Sequence, residues 1–366
     1  MLHKIHFLIG LCLLISFSAC ERDPESLRPT GPDFGTDKEE PGLSGDWLIP
    51  VSEIRDGGPG KDGIPSIQSP QFVPVEAIDF MLEDDLIIGV RVGNTVRGYP
   101  HPILDWHEIV NDQIDDEYFA VTYCPLTGTA IGWDRTLNGT TTTFGVSGLL
   151  YNSNLIPFDR ETDSNWSQMR LNCVNGELIE TDIRTFPVIE TTWRTWRQMF
   201  PDAMVQNTNT GFERNYGQYP YGDYRSSEAL IFGVLPDDTR LPRKERVLGV
   251  VDNGRARTYR FDAFDSDEVV IKYDKFMGTE LVIVGSERDN FLVAFQQQLK
   301  NETLNFKVSE RYPAALLEDD EGNQWDLFGL AISGPRTGQR LEMANAYLGY
   351  WFAWGAFYPD CEIVSE

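Results

Sequence analysis

Short runs rich in apolar, β-branched and aromatic residues, separated by turn residues, dominate the chain after residue 85. Residues 86–92 and 94–99 are two such runs joined through Gly93-Asn94, which predicts two strands connected by a tight turn. Further strands are predicted at residues 119–124, 130–135 and 140–146, the last two joined by a turn at 138–139. A three- to four-residue hydrophobic spacing instead predicts a short helix over residues 102–111. We therefore expect an α+β, sheet-rich fold.

The second half of the chain repeats the pattern of the first. Residues 88–99 align with 248–259 without a gap, and residues 119–133 align with 281–295. Both halves end in a Trp-x-x-Trp sequence that runs on to an aromatic residue, Pro and Asp, at 193–202 and 351–360. This spacing places both indoles on one face of a short helix. The repeats predict two tandem copies of one unit related by a pseudo-twofold axis, each closed by a Trp-x-x-Trp helix.

The N-terminus has the anatomy of a bacterial lipoprotein signal. Lys4 precedes a short apolar run, and Ser18 and Ala19 precede Cys20. We predict a signal peptide over 1–19 and a diacylglycerol or palmitate anchor on Cys20, since no later apolar run is long enough to span a bilayer. Residues 20–44 are rich in Pro, Gly and charge and predict a disordered tether. The first copy is then predicted over 45–210 and the second, structural copy over 211–366.

The net charge and the number of cysteines limit which partners and which cysteine chemistry are possible. A net charge of −26 argues against nucleic acid as a partner, because nucleic-acid binding needs a basic surface. The predicted partners are the membrane, through the lipid on Cys20, and an unidentified small molecule or envelope component outside the cytoplasm. Past Cys20 the chain has three cysteines and no Cys-x-x-Cys pair, so at most one disulfide can form, and a Cys173–Cys361 bond is left open.

The two copies differ in their reactive residues. His107 aligns with Asp267, and Cys124 aligns with Ser286, so only the first copy has an imidazole and a thiol. A thiol near an imidazole ionises more readily and acts as a nucleophile or soft-metal ligand. Both residues are equally compatible with ordinary packing roles. His101, between two prolines, is interpreted as a rigid loop residue.

Polar residues around this pair extend the candidate site. Glu108 follows His107 and is a candidate to orient an imidazole or to bind a metal. A polar loop after Phe144 and the Gly- and Pro-rich segment 57–65, a candidate clamp over the site, supply further candidate binding residues: Lys61, Asp62, Ser147, Asn152, Asn154, Asp159 and Gln168.

Several of these segments together resemble one family. Segments 57–65, 106–112, 123–128, 144–148, 159–162 and 166–168 closely resemble the DUF3179 family, a domain of unknown function. The resemblance covers the chain from about residue 50 and implies no reaction. It also implies that many members have a second cysteine in a Cys-Pro-Leu-Cys sequence where this chain has Thr127, so dithiol chemistry is not expected here.

The sequence leaves two functions open. One is a ligand or transition-metal site at His107 and Cys124, with catalysis undecided. The other is a non-enzymatic cell-envelope binding protein that uses residues 147–154 as its recognition loop.

Overall fold

A computed structural model describes residues 43–364 of the 366-residue chain. The predicted signal peptide, Cys20 and nearly all of the predicted tether lie outside the described residues. Within residues 43–364 no helix is long and apolar enough to cross a membrane. The fold is sheet-rich with few helices, which confirms the α+β prediction at that level.

The first half is built from short strands with two seven-residue helices, α1 (His101–His107) and α2 (Trp193–Met199). The strands are β1 (Ile54–Asp56), β2 (Phe72–Pro74), β3 (Leu86–Val92), β4 (Thr95–Pro100), β5 (Ile109–Ile114), β6 (Glu117–Cys124), β7 (Thr129–Asp134), β8 (Thr136–Leu137), β9 (Thr140–Thr141), β10 (Phe144–Tyr151), β11 (Asn154–Asp159), β12 (Asn165–Ser167), β13 (Asn172–Asn175), β14 (Thr185–Phe186), β15 (Ile189–Thr192) and β16 (Met204–Gln206). Single 3-10 turns form at Val51–Glu53 and Val75–Ala77.

The second half contains helix α3 (Trp351–Phe357) and a 3-10 turn at Phe261–Phe264. Its strands are β17 (Arg246–Asp252), β18 (Arg255–Arg260), β19 (Val270–Phe276), β20 (Thr279–Ser286), β21 (Phe291–Gln296), β22 (Gln298–Leu299), β23 (Glu302–Thr303), β24 (Phe306–Val308), β25 (Leu317–Asp319), β26 (Gln324–Trp325), β27 (Ala331–Ser333), β28 (Ala346–Tyr350) and β29 (Glu362–Val364).

The sheets of the two halves share their strand orders. The order β15-β3-β4-β16, extended by β2, corresponds to β28-β17-β18-β29, and β7-β6-β5, extended by β14, corresponds to β21-β20-β19. The order β10-β11-β12-β13, extended by β1, corresponds to β24-β25-β26-β27. In both halves a short hairpin, β8-β9 or β22-β23, links the second of these sheets to the third.

Each Trp-x-x-Trp helix packs partly against the opposite half. Trp193 and Trp196 of α2 share a core with Val282 and Trp325, while Trp351 and Trp354 of α3 share a core with residues of the first half such as Trp133. Thr192 caps the N-terminus of helix α2, because its hydroxyl accepts a hydrogen bond from the backbone N–H of Thr195. Burying large aromatic surfaces across the two halves stabilises both together.

The structure corrects three local predictions. The helix predicted over 102–111 ends at His107, because Glu108 adopts a positive φ of 57° and the chain continues as β5. The strand predicted over 140–146 is divided into β9 and the start of β10. The predicted polar loop after Phe144 is a β-hairpin of β10 and β11, turning at Asn152 and Ser153, both with positive φ.

A long connection covers one face of the first half. Residues 207–245 contain neither helix nor strand. Their tyrosines Tyr216, Tyr221 and Tyr224 are buried against first-half residues, although the sequence assigns most of this segment to the second copy. We call residues 216–225 the tyrosine segment.

Candidate functional site

His107, the last residue of α1, is fully buried and uses both ring nitrogens. Nδ1 lies 2.7 Å from the carbonyl oxygen of Pro65, and Nε2 lies 2.7 Å from the hydroxyl of Tyr216. A carbonyl oxygen only accepts hydrogen bonds, so Nδ1 carries the proton and Nε2 accepts from Tyr216. Burial lowers the pKa of His107 to about 4. The imidazole is therefore neutral at pH 7 and connects the 57–65 segment to the long connection.

Cys124 ends β6 and is also buried. Its thiol lies 3.5 Å from the backbone carbonyl oxygen of Ser153, to which it can donate a weak hydrogen bond. Burial, together with the nearby Glu108 carboxylate, raises the pKa of Cys124 to about 11 against the opposing effect of hydrogen bonding with Thr127. The thiol is therefore protonated at neutral pH and is a weak nucleophile in this conformation.

The charged neighbour of Cys124 is Glu108 rather than His107. Because α1 ends by a backbone reversal at Glu108, this side chain is directed inward and is buried. Burial raises its pKa to about 7, while a hydrogen bond of 3.1 Å from the Tyr221 hydroxyl partly offsets this. A carboxyl group with a pKa near 7 can both donate and accept a proton at neutral pH.

Glu108 and Tyr221 line a small, partly open cavity with room for about one water molecule. The remaining lining residues come from the 57–65 segment, the turn between β6 and β7, and the strands β10 and β11: Gly57, Pro59, Ile64, Leu126, Val146, Gly148, Leu149, Leu150 and Leu155. Apolar walls around one carboxyl group and one phenol are typical of small-molecule sites.

The 57–65 segment, predicted as a clamp, lies over this cavity. The backbone N–H of Gly57 donates to the carbonyl oxygen of Gly148 at 2.7 Å, and that of Asp62 donates to Val146 at 2.8 Å. At Gly148, with φ of 82°, an added Cβ would approach the backbone of Gly60 to 2.7 Å. Only glycine allows the segment to lie this close.

The tyrosine segment contributes Tyr221 to the lining of the same cavity and packs against neighbouring residues. Arg225 forms a 2.6 Å ion pair with the buried Asp105 and lies 4.0 Å from the ring of Tyr219, and Tyr224 donates to the carbonyl oxygen of Leu126 at 2.9 Å. Burial raises the pKa of Asp105 to about 6 against the opposing effect of Arg225.

Asn154 and Gln168, both predicted as binding residues, are buried and bond to each other. The amide nitrogen of Asn154 donates to Gln168 at 2.7 Å and to Thr127 at 3.0 Å, and that of Gln168 donates to Thr122 at 2.9 Å. Through Thr127 this amide network reaches the thiol of Cys124. It therefore holds the wall behind the thiol in place.

The side chains of three other candidate binding residues form hydrogen bonds within the protein itself. Ser147 donates to the carbonyl oxygen of Ile156 at 2.5 Å, and Asn152 bonds through its amide to both backbone groups of Leu235. The carboxylate of Asp159 accepts from the indole N–H of Trp166 at 3.0 Å and from Thr162.

Lys61 and Asp62 lie on the outer side of the clamp. Lys61 forms an ion pair with Asp163 and lies 4.1 Å from the ring of Phe158. Asp62 accepts two hydrogen bonds from the guanidinium of Arg160. Both side chains are partly exposed and join the clamp to β11 and the turn that follows it.

Cysteine and metal chemistry was left open by the sequence. Cys124, Cys173 and Cys361 are all buried with free thiols. Within residues 43–364, no group of three or more His, Cys, Asp or Glu side chains is placed to hold a metal ion. Among the described residues, no hydrogen bond joins the side chains of His107 and Cys124, and their sharing of one ligand stays a prediction.

His101 differs from its interpretation as a loop residue. It is the first residue of α1 and is buried, with Nε2 3.0 Å from the carboxylate of Glu190 and its ring 4.4 Å from that of Tyr123. Pro102 favours helix initiation at this position, since proline is well tolerated in the first turn.

A family of proteins described as "Protein of unknown function (DUF3179)" matches residues 61–361. The chain belongs to this family. No curated protein matches it, and no solved structure does.

Sequence reasoning missed the site residues of this DUF3179 protein that come from the long connection. Tyr216, Tyr221 and Arg225 carry no hydrophobic periodicity, and their partners are far away in the chain. The available signal was compositional, since residues 216–224 contain four tyrosines. Tyr and Arg are enriched where a partly apolar surface must also supply hydrogen bonds.

Proposed function

We propose that this DUF3179 protein is an extracytoplasmic lipoprotein that binds a small ligand in its first half, at Glu108 and Cys124. The supporting observation is the buried Glu108 carboxyl group, with a pKa near 7, in an apolar cavity between the clamp and the tyrosine segment. Buried carboxyl groups with pKa values near neutrality cluster at functional sites.

The chemistry of the cavity favours a ligand with one polar group. Ionised Glu108 accepts hydrogen bonds, so a hydroxyl or amine on the ligand would compensate for its burial. Ile64, Leu126 and Leu155 would pack against the remainder. Since the cavity has room for about one water molecule, the clamp or the tyrosine segment must move to admit anything larger.

A single site is consistent with an internal duplication, which is part of the proposal. Equivalent contacts recur in both halves: Tyr99 donates to Asp112 as Tyr259 does to Asp274, each at 2.6 Å. The Trp166–Asp159 hydrogen bond recurs as Trp325–Asp319. Ser286 ends β20 at the position equivalent to Cys124, which ends β6. The tyrosine segment packs against residues of the first half alone in the contacts described above.

The alternative, a binding protein that uses residues 147–154, has less support. The side chains of Asn152 and Ser153 hydrogen-bond to Leu235 and Phe232 of the chain itself, and those of Ser147 and Asn154 are buried. An external partner would have to replace these contacts.

Native mass spectrometry with elemental analysis tests the ligand site. The mature chain should carry a small bound molecule or ion, and its occupancy should fall in Glu108→Gln and Cys124→Ser. Glu268→Gln is the matched control, because Glu268 aligns with Glu108 but is exposed in the second half. Equal occupancy in all variants, or none in the wild type, would contradict the proposal.

Radiolabelled palmitate tests the anchor. Label should enter the wild-type protein and be lost in Cys20→Ser, which should move to the soluble fraction, because Cys20 is the one proposed attachment point. Unchanged membrane association of the variant would refute a lipid anchor at this residue.

A further inference from the structure

A groove of about 500 Å³ lies away from Glu108, between β7 and β14 of the first half and the second half. Its apolar lining includes Phe186, Val188, Phe276, Leu281 and Met343. A cavity of this volume accommodates a small organic molecule.

The groove exists because two small residues stand where the first half has large ones. Phe186 and Ala344 each lie seven residues before the first Trp of a Trp-x-x-Trp helix, and Val188 and Ala346 each lie five residues before it. In the first half the ring of Phe186 stacks on Phe119 with centroids 4.7 Å apart.

In the second half the same position offers only a methyl group. Ala344 is bonded through its backbone N–H to Ala294 at 2.9 Å, and Leu281 takes the place of Phe119 as the third residue of its strand. The space that the phenyl rings fill in the first half therefore stays open.

One of the residues that line the groove is an arginine. Arg340 lines the groove and is partly buried, and among the described residues its side chain makes no hydrogen bond or ion pair. The opposite charge that acts on it is Asp326, but Asp326 already pairs with Arg91 at 2.7 Å. Arg91 and Arg340 thus both lie near one carboxylate that already pairs with Arg91, which leaves the positive charge of Arg340 uncompensated in an otherwise acidic protein.

Two acidic residues at the same groove do not neutralise Arg340. Asp252 and Glu342 both line it, yet neither forms an ion pair with Arg340 among residues 43–364, and Glu342 is exposed to solvent. An unpaired, partly desolvated guanidinium favours an anion, which can accept two hydrogen bonds from it.

We propose that this groove binds a small organic anion with an apolar body, its acid group on Arg340 and its body against Phe186, Phe276 and Leu281. The site is separate from the one at Glu108 and does not depend on it.

Fluorescence of 8-anilinonaphthalene-1-sulfonate, an aromatic sulfonate, tests this site. The wild type should bind it with a stoichiometry near one. Ala344→Phe gives the second half the side chain that Phe186 provides at the equivalent position of the first half, and it should abolish binding. Arg340→Gln should weaken it by at least about tenfold, since a hydrogen bond to a charged group contributes more than one kcal/mol. Binding of the uncharged analogue N-phenyl-1-naphthylamine should change little in Arg340→Gln.

Matched controls separate the groove from general surface effects. Arg311→Gln and Ala314→Phe change exposed residues of the second half outside the groove and should leave probe binding unchanged. If thermal melting shows that Ala344→Phe is unfolded, Ala346→Val replaces it and should weaken binding. Undiminished binding in a folded groove-filling variant, or equal sulfonate affinity in Arg340→Gln, would overturn the proposal.

Discussion

The hydroxyl of Tyr221 donates a 3.1 Å hydrogen bond to the carboxylate of Glu108, which joins the tyrosine segment to the end of α1. Burial raises the pKa of Tyr221 well above its usual value, so the phenol keeps its proton. The bond stabilises the ionised form of Glu108 and opposes the effect of burial on this carboxyl group.

Tyr221→Phe removes this donor. We expect the pKa of Glu108 to rise above about 7, because its charged form loses a hydrogen bond. The free energy of unfolding should fall by about 1–3 kcal/mol at pH 8, and by less at pH 5 where Glu108 is protonated. Denaturant unfolding at both pH values measures this. In a Glu108→Gln background the pH dependence of the effect should vanish, and its persistence there would assign it to packing.

Glu108 itself should make stability depend on pH. Its pKa is about 7 in the folded protein against an ordinary 4.5, so the folded state binds more protons between these values. This contribution to stability is present below about pH 4.5 and is lost as the pH rises through 7, which corresponds to about 3 kcal/mol in total.

Glu108→Gln isolates that contribution, because Asp105 acts in the same direction and His107 in the opposite one. The stability of the variant relative to wild type should increase steadily from pH 4.5 to 7.5, as followed by denaturant midpoints. Glu268→Gln should show no such increase. A pH-independent difference for Glu108→Gln would mean that Glu108 is not desolvated.

Strands and short helices were predictable where the signal is local. The apolar run over residues 86–92 and the turn residues near 93 indicate a strand that is buried on both faces, and Ile87 to Val90 are all buried in β3. The helix over 102–111 was predicted too long, because the hydrophobic face continues into β5 while the backbone reverses at Glu108. Hydrophobic spacing does not record such a reversal.

The site was predictable only in part. Asymmetry between the halves pointed to His107 and Cys124, but the partners of His107, Pro65 and Tyr216, lie 42 and 109 residues away. Asn152 and Asn154 suggested an exposed loop because asparagine is usually exposed. Here their amides pair with other polar groups, which makes burial acceptable.

His107 should be important for stability. Replacing it by Ala leaves the carbonyl oxygen of Pro65 without this buried donor and the hydroxyl of Tyr216 with Thr210 alone, and we expect a loss of about 2–4 kcal/mol in the free energy of unfolding. Tyr216→Phe should cost about 1–3 kcal/mol, since the hydroxyl loses its hydrogen bonds with both His107 and Thr210.

A double-mutant cycle on these two residues checks the prediction. The Tyr216→Phe substitution should cost less once His107 is Ala, because the hydrogen bond between the two residues is already absent and the one with Thr210 is lost in both backgrounds. Additive effects would show that the two residues act independently.

Gly148 should control access to Cys124. In Gly148→Ala the new Cβ would approach the backbone of Gly60 to 2.7 Å, so the clamp must move away from the cavity, whose lining includes Glu108 and Leu155, two residues that interact with Cys124. Gly139→Ala is a close control: Gly139 has the same φ of 82°, but nothing lies within 4 Å of an added Cβ. Both variants carry the backbone strain of about 1–2 kcal/mol, and only the first displaces the clamp.

Under native conditions, iodoacetamide should alkylate Cys124 at least about tenfold faster in Gly148→Ala than in wild type. This is the ratio expected when local opening becomes easier by about 1.4 kcal/mol. Cys173 and Cys361, which are buried elsewhere, should keep their wild-type rates in the same sample. Equal acceleration of all three thiols would indicate global unfolding, and equal effects of the two glycine variants would show that backbone strain, rather than the clamp, controls access.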